Sequence, residues 1–256
     1  MLKAILFDLD DTLIDWSGFT LEWEALESQH LRNVFDFLKL ECEFQLYNDE
    51  YTRRVRDAWV EARNTLRAPH LGRLLIDSAV AIGAGVDSID MAACLDAYGW
   101  SMVQDTLLFP EVLEMLQVLT DRGLKMGIVT NSFHPITVRD LEITAHGLAD
   151  FFPDCRVTAA DVGYLKPHPE IFEHALRKLG VTADEAVFVG DNAVADIAGA
   201  QGAGMYAIQR RVRGRIPATS GLVVPDAVVY SLTELPEILD RFFPPEPAST
   251  SEEHAG

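Results

Sequence analysis

Apolar and polar positions along this chain follow two different rhythms, and where they switch divides it into parts. Short β-branched or aliphatic runs, bounded by turn-forming residues, occur at 3–7, 125–130, 155–158, 186–190, 205–208 and 227–230. Between the later runs, apolar residues recur at helical spacing. The stretch 169–179 opens with Pro169, which suits a first helical turn, and is followed by Gly180, which suits a C-terminal cap. Strands alternating with helices in this way predict an α/β fold with a Rossmann-like parallel sheet flanked by helices.

The region between the first two runs differs. From about Trp16 to about Thr106 no strand pattern occurs, whereas 22–40, 50–66 and 71–82 carry apolar residues at helical spacing with charge on the opposite face. This predicts an all-helical cap domain inserted after the first strand, over the sheet's C-terminal edge. The expected division is a core of residues 1–15 and 107–243 and a cap of 16–106. Residues 244–256, rich in Pro, Ser, Glu and Ala, are expected to be disordered.

Charge and cysteine content narrow the partners. With 21 Lys+Arg against 40 Asp+Glu the net charge is −19. That excludes non-specific nucleic-acid binding, which needs basic patches, and means an anionic substrate must be drawn by local positive charge. Cys42, Cys94 and Cys155 stand far apart with no metal-ligand spacing, which predicts reduced thiols in a cytoplasmic protein. The N-terminus turns acidic too early for a signal peptide and no apolar run is long enough for a membrane span. The expected assembly is a monomer or a homodimer.

The chemistry begins at Phe7-Asp-Leu-Asp-Asp-Thr-Leu13, where Asp8, Asp10 and Asp11 crowd the end of the first apolar run. Carboxylates this close raise one another's cost of ionisation, so a metal ion or a basic side chain must sit among them. Ligands of open α/β sheets bind at the strands' carboxyl ends. There the other runs deliver Thr130-Asn131-Ser132, the loop Lys166-Pro167-His168-Pro169, and Gly190-Asp191-Asn192 with Asp196 five positions beyond Asp191. Two carboxylate clusters, a hydroxyl and a lysine thus converge on one edge.

In these four stretches, in this order and spacing, the chain resembles the haloacid dehalogenase-like (HAD) hydrolases over about residues 3 to 235, including a helical cap of that family's type I arrangement. One small departure is Ala195 before Asp196, where many relatives carry Asn. The resemblance implies a Mg²⁺-dependent phosphatase acting on a small phosphorylated metabolite. Asp8 is then the nucleophile and Asp10 the general acid and base. The metal ligands are Asp8, the Asp10 carbonyl and Asp191, with Asp196 in contact with the ion or behind it. Thr130 and the Asn131 N–H hold the phosphoryl group, and Lys166 neutralises its oxygens and Asp8.

Other readings stand beside these. A phosphomutase resembling β-phosphoglucomutase would use the same core, and a metal-free haloacid dehalogenase would have no use for Asp10. Asp11 reads as a turn or helix cap, His168 as a cap of its helix, and Asn131 and Ser132 as either phosphate contacts or caps. Trp16, Phe19 and Trp23, with Arg53, Arg54, Arg56, Arg63 and Arg67, are the candidates for contact with the substrate from the cap. The cluster Arg210–Arg215 reads as surface or subunit contact.

Overall fold

The computed structural model describes residues 1–20, 23–85, 89–212, 214 and 221–244. The predicted disordered tail falls, apart from Pro244, outside the described residues. The chain forms a six-stranded sheet of β1 (Ala4–Phe7), β4 (Lys125–Thr130), β5 (Arg156–Thr158), β6 (Ala186–Gly190), β7 (Tyr206–Arg210) and β8 (Ala227–Val229). Its order is β5-β4-β1-β6-β7-β8, and every pairing is parallel. This is the Rossmann-like α/β fold expected from the pattern, with β1 at the centre.

Because side chains alternate across a strand, β1 feeds two cores. Ile5 and Phe7 join one cluster with Leu116, Leu119, Leu235 and Leu239 of α5 (Val112–Asp121) and α10 (Leu235–Phe242). Ala4 and Leu6 join another with Ile171, Phe172 and Leu176 of α8 (Pro169–Leu179). Burial on both faces is why these strands read as continuous apolar runs. Gly127 lets β4 come close: a Cβ there would lie 2.5 Å from Leu6 Cδ2.

After β1 a short strand β2 (Ile14–Asp15) pairs antiparallel with β3 (Leu107–Leu108), Ile14 opposite Leu108 and Asp15 opposite Leu107. Among the described residues between them run four helices, α1 (Trp23–Leu38), α2 (Phe44–Thr65), α3 (Leu71–Ala81) and α4 (Met91–Tyr98), around a third cluster that includes Leu31, Tyr47, Tyr51, Leu75 and Trp100. Helix α2 begins six residues before the expected 50, because the run from Phe44 also buries Tyr47. The helices touch the sheet's edge by backbone contacts. Leu71 N–H donates to the Phe133 carbonyl at 2.9 Å, and the loop after α2 exchanges bonds with 163–165, Ala68 N–H to Gly163 O at 3.0 Å and Leu165 N–H to Leu66 O at 2.8 Å.

One expectation is corrected. Arg210 is not at the surface: it is the last residue of β7 and only 2% exposed. It donates to the Thr12 carbonyl and, at 2.8 Å, to Glu111, and its guanidinium lies 3.8 Å over the Phe109 ring. A short apolar strand carried on into arginine looks like a turn signal in sequence, yet tertiary contacts supply the counter-charge that permits burial. Arg213 and Arg215 lie outside the described residues.

Candidate active site

Asp8 follows β1 directly, and its N–H donates to Val189 O at 2.9 Å, extending the sheet ladder by one bond. Beyond it the chain turns tightly, with Leu13 and Ile14 N–H both bonded to Leu9 O at 2.8 and 3.0 Å. Asp11 takes a left-handed φ of 58° in that turn, a conformation Asp tolerates better than most residues, and its carboxylate accepts the Trp16 N–H at 3.4 Å. That bond makes the Asp11 carboxylate a cap of the turn. The Arg210 bond to Thr12 O holds the turn from below, and Thr12 Oγ1 donates to Asp8 Oδ2 at 3.3 Å.

Seven residues singled out in the sequence line one cavity of about 160 Å³: Asp8, Asp10, Thr130, Asn131, Lys166, Asp191 and Asp196. A larger hollow of about 540 Å³ is lined by residues 37–42, 82–85 and Ile89 of the helical segment. Chemistry rather than size selects the site.

Lys166 is 3% exposed, and its Nζ lies 2.7 Å from Asp8 Oδ1 and 2.7 Å from Asp196 Oδ1. Burial works against its charge, but Asp196 and Asp8 outweigh burial and hold its pKa above the ordinary lysine value. Asn131 grips the same lysine by its backbone, Oδ1 accepting Lys166 N–H at 2.6 Å and Nδ2 donating to Lys166 O at 3.0 Å. That bond pair ties the loop before α8 to the end of β4. Ser132 caps locally, its Oγ accepting His134 N–H at 3.0 Å.

The carboxylates of Asp8, Asp191 and Asp196 each place an oxygen within 4.8 Å of the others. Asp196 comes beneath the end of β6 because Gly190 has no side chain: a Cβ there would lie 2.4 Å from Asp196 Cγ. Its Oδ2 accepts Asn192 N–H at 2.9 Å, and Asn192 itself caps the π-helical turn Ala193–Ala198. Burial pushes the Asp8 carboxyl well above the ordinary range, with Lys166 opposing and Asp196, Asp10 and Asp191 adding to the push. Asp191 is pushed up to about 6 by burial, then by Asp196 and Asp11. One lysine does not offset this many acids. An all-oxygen donor set with surplus negative charge is what a hard divalent cation requires.

The two oxygens of Asp10 are held unequally. Its Oδ1 accepts Trp16 Nε1–H at 2.9 Å and Arg139 Nη2–H at 2.7 Å, while Oδ2 accepts only the longer bond from Thr130 Oγ1–H at 3.4 Å. Arg139, on α6 (Ile136–Ala145), also pairs with Glu142 at 2.8 Å, and both are buried. Sequence reasoning missed this pair. The signal was there, since Val138, Arg139, Glu142 and Ile143 form the buried face of α6, and an Arg and Glu three apart on an apolar face are rarely idle.

Of the arginines proposed to face the substrate, Arg53 and Arg54 pair with Glu50, and Arg56 lies 3.7 Å from Asp57. Arg67 lies over the Tyr164 ring at 5.7 Å. Trp16, Phe19 and Trp23 form an aromatic cluster with centroids 5.7 to 6.3 Å apart, Trp16 touching Asp10 as above. His168 caps α8, its Nδ1 accepting Glu170 N–H at 3.2 Å. The three cysteines are free. Among the described residues, no helix is long and apolar enough to cross a membrane.

Residues 2–204 match the sequence profile of the haloacid dehalogenase-like hydrolases. The chain is 30% identical over 241 residues to a glyceraldehyde 3-phosphate phosphatase of Methanopyrus kandleri, covering 94% of this chain and 97% of that one. It is 47% identical over 206 residues to pyrophosphatase PpaX of Bacillus pumilus, covering 79% and 80%. Among solved structures, a 2-haloacid dehalogenase from Pseudomonas syringae pv. Tomato superposes with a TM-score of 0.62 at 29% identity, covering 94% of this chain and all of that one.

Proposed function

The chain belongs to the haloacid dehalogenase-like hydrolases, and from that premise we propose that it is a Mg²⁺-dependent phosphatase of a small phosphorylated metabolite. The observation that carries the reading is Asp8, buried between Lys166 and two further acids, with Asp10 beside it. Relatives named for glyceraldehyde 3-phosphate, ribulose-1,5-bisphosphate and pyrophosphate support the substrate class. The three free cysteines support a cytoplasmic location.

In this reading residues 1–15 and 107–243 are the catalytic core and 16–106 the cap. A substrate phosphoryl group enters the cavity among Thr130 Oγ1, the Asn131 N–H and Lys166 Nζ. A carboxylate oxygen of Asp8 attacks phosphorus as the bond to the leaving oxygen breaks, and Asp10 gives that oxygen its proton. A water then attacks the aspartyl-phosphate and loses a proton to Asp10, the bond to Asp8 breaks, and inorganic phosphate leaves. Lys166 neutralises charge on Asp8 before the attack and on the phosphoryl oxygens during it. When bound by Asp8, Asp191 and the Asp10 carbonyl, with Asp196 behind, Mg²⁺ would neutralise the acid cluster and polarise the phosphoryl group.

The dehalogenase neighbour favours a second reading, a metal-free attack of Asp8 on a carbon–halogen bond. Asp10, with an oxygen turned toward Thr130, has no task in that reaction, and neither has the cluster of Asp191 and Asp196. The test is phosphate release from a panel of phosphorylated metabolites, run beside halide release from 2-haloacids. Magnesium-dependent phosphate release that Asp8→Asn abolishes supports the phosphatase, and halide release with no phosphate release refutes it.

A further inference from the structure

We infer that Arg139 is a positioning residue for Asp10, and this rests on the phosphatase reading above. Arg139 reacts with nothing. It decides which oxygen of Asp10 meets the leaving group.

The geometry divides the two Asp10 oxygens. Oδ1 takes a guanidinium N–H at 2.7 Å and the Trp16 indole N–H at 2.9 Å, so its lone pairs are committed. Oδ2 accepts one longer bond, from the Thr130 hydroxyl at 3.4 Å, a residue that lines the cavity beside it. A carboxylate anchored by one oxygen presents the other in a fixed direction, which a general acid needs if its proton is to reach the leaving oxygen along a short path.

Arg139 is held in turn. Its other Nη lies 2.8 Å from Glu142 Oε2, an atom that also accepts the Trp100 indole N–H at 3.4 Å. Glu142 is fully buried and Arg139 is 3% exposed. The planar fork of arginine fixes the directions of two carboxylates at once, whereas the compact charge of lysine, on a flexible stem, sets no such directions. One indole comes from each connection to the helical segment, Trp16 before α1 and Trp100 after α4. A buried Arg–Glu pair alone could be a strut between the helices and the sheet. The third partner, the very carboxylate expected to move the proton, is what a strut does not require.

The effect falls on one step. As the phosphorus–leaving-oxygen bond breaks and the Asp8–phosphorus bond forms, the proton passes from Asp10 to the departing oxygen. An alkoxide leaves badly without that proton, and p-nitrophenolate leaves well without it. A mispositioned Asp10 therefore costs alkyl phosphates more than the activated aryl ester, and kcat/KM reports this step because it reaches through leaving-group departure.

The experiment measures kcat/KM for 2-glycerophosphate and for p-nitrophenyl phosphate on wild type, Arg139→Lys and Trp16→Phe, each checked by thermal melting. Arg139→Lys keeps the buried charge and hence the fold, but loses the fork. Trp16→Phe removes the indole N–H that holds the same Asp10 oxygen, together with part of the ring, and so probes that oxygen from its other partner. The expected result is a loss of about 10²-fold on the alkyl ester in Arg139→Lys, a several-fold loss on the aryl ester, and a smaller skew of the same sign in Trp16→Phe. Losses by one common factor on both esters, or no loss, overturn the inference. Asp8→Asn separates the two levels: if it still releases phosphate the phosphatase reading fails, and if it is inactive while the skew is absent only the role of Arg139 fails.

Discussion

The Asn131 amide clasps the backbone of Lys166 on both sides of its Cα, accepting its N–H at 2.6 Å and donating to its carbonyl at 3.0 Å. The two residues are 35 positions apart, so this clasp joins the end of β4 to the loop before α8 and aims the lysine at Asp8. Asn131→Ala should leave the fold intact and cut kcat about tenfold or more, because a lysine displaced by a fraction of an ångström meets Asp8 less well. Steady-state kinetics with a melting curve checks this, and unchanged kcat would show that α8 alone positions Lys166.

Asp8→Asn keeps the shape of the nucleophile and removes its reactivity. Turnover should fall by about 10³-fold or more. Folding should persist, since burial and three neighbouring acids already press Asp8 toward its neutral form and Lys166 keeps Asp196 as a partner. Phosphate release and circular dichroism are the two measurements.

Metal affinity should follow the Asp191 proton. Asp191 is pushed up to about 6, so below that pH it holds a proton that a cation must displace. The half-saturating Mg²⁺ concentration should rise by about tenfold or more per pH unit below 6. Titrations at pH 5 and 7 followed by tryptophan fluorescence would show this, and Asp191→Ala should weaken binding at both values. Chelation should abolish phosphate release and added Mg²⁺ should restore it.

Stability should fall on the acid side through histidine. His134 is buried against Trp100 and Phe133, with ring centroids 4.4 Å away in each case. Burial, then Arg139 and His30, hold its pKa well below the ordinary 6.5. The unfolded chain therefore binds a proton below about pH 6.5 that the folded one refuses, so stability is lost as pH drops through that value. The melting temperature of His134→Gln should depend less steeply on pH between 7 and 5 than that of wild type, and equal slopes would count against the assignment.

Trp16, Phe19 and Trp23 are proposed to set substrate choice from the cap. Their replacement one at a time by Ala should redistribute kcat/KM among phosphorylated metabolites, with p-nitrophenyl phosphate affected least for Phe19 and Trp23. A uniform fall across the panel would make them supports of the fold.

The sequence by itself determined the sheet and the reactive groups. Its strands are buried on both faces and so read as unbroken apolar runs, and five of the seven cavity residues sit at or just beyond a run's end, with Lys166 and Asp196 following in the segments after β5 and β6. Strand order in an open parallel sheet then brings those ends to one edge without further information. What tertiary structure alone decided is who satisfies whom. Arg210, placed at the surface by its neighbours in sequence, became a buried prop for the Thr12 carbonyl, and Arg139, unnoticed on an amphipathic helix, became the partner of Asp10 from 129 positions away. An ion pair or a clasp depends on distances set by packing between segments remote in the chain, and local pattern carries no record of those distances. The periodicity of a segment shows which face is buried, but only the folded chain shows what that face meets.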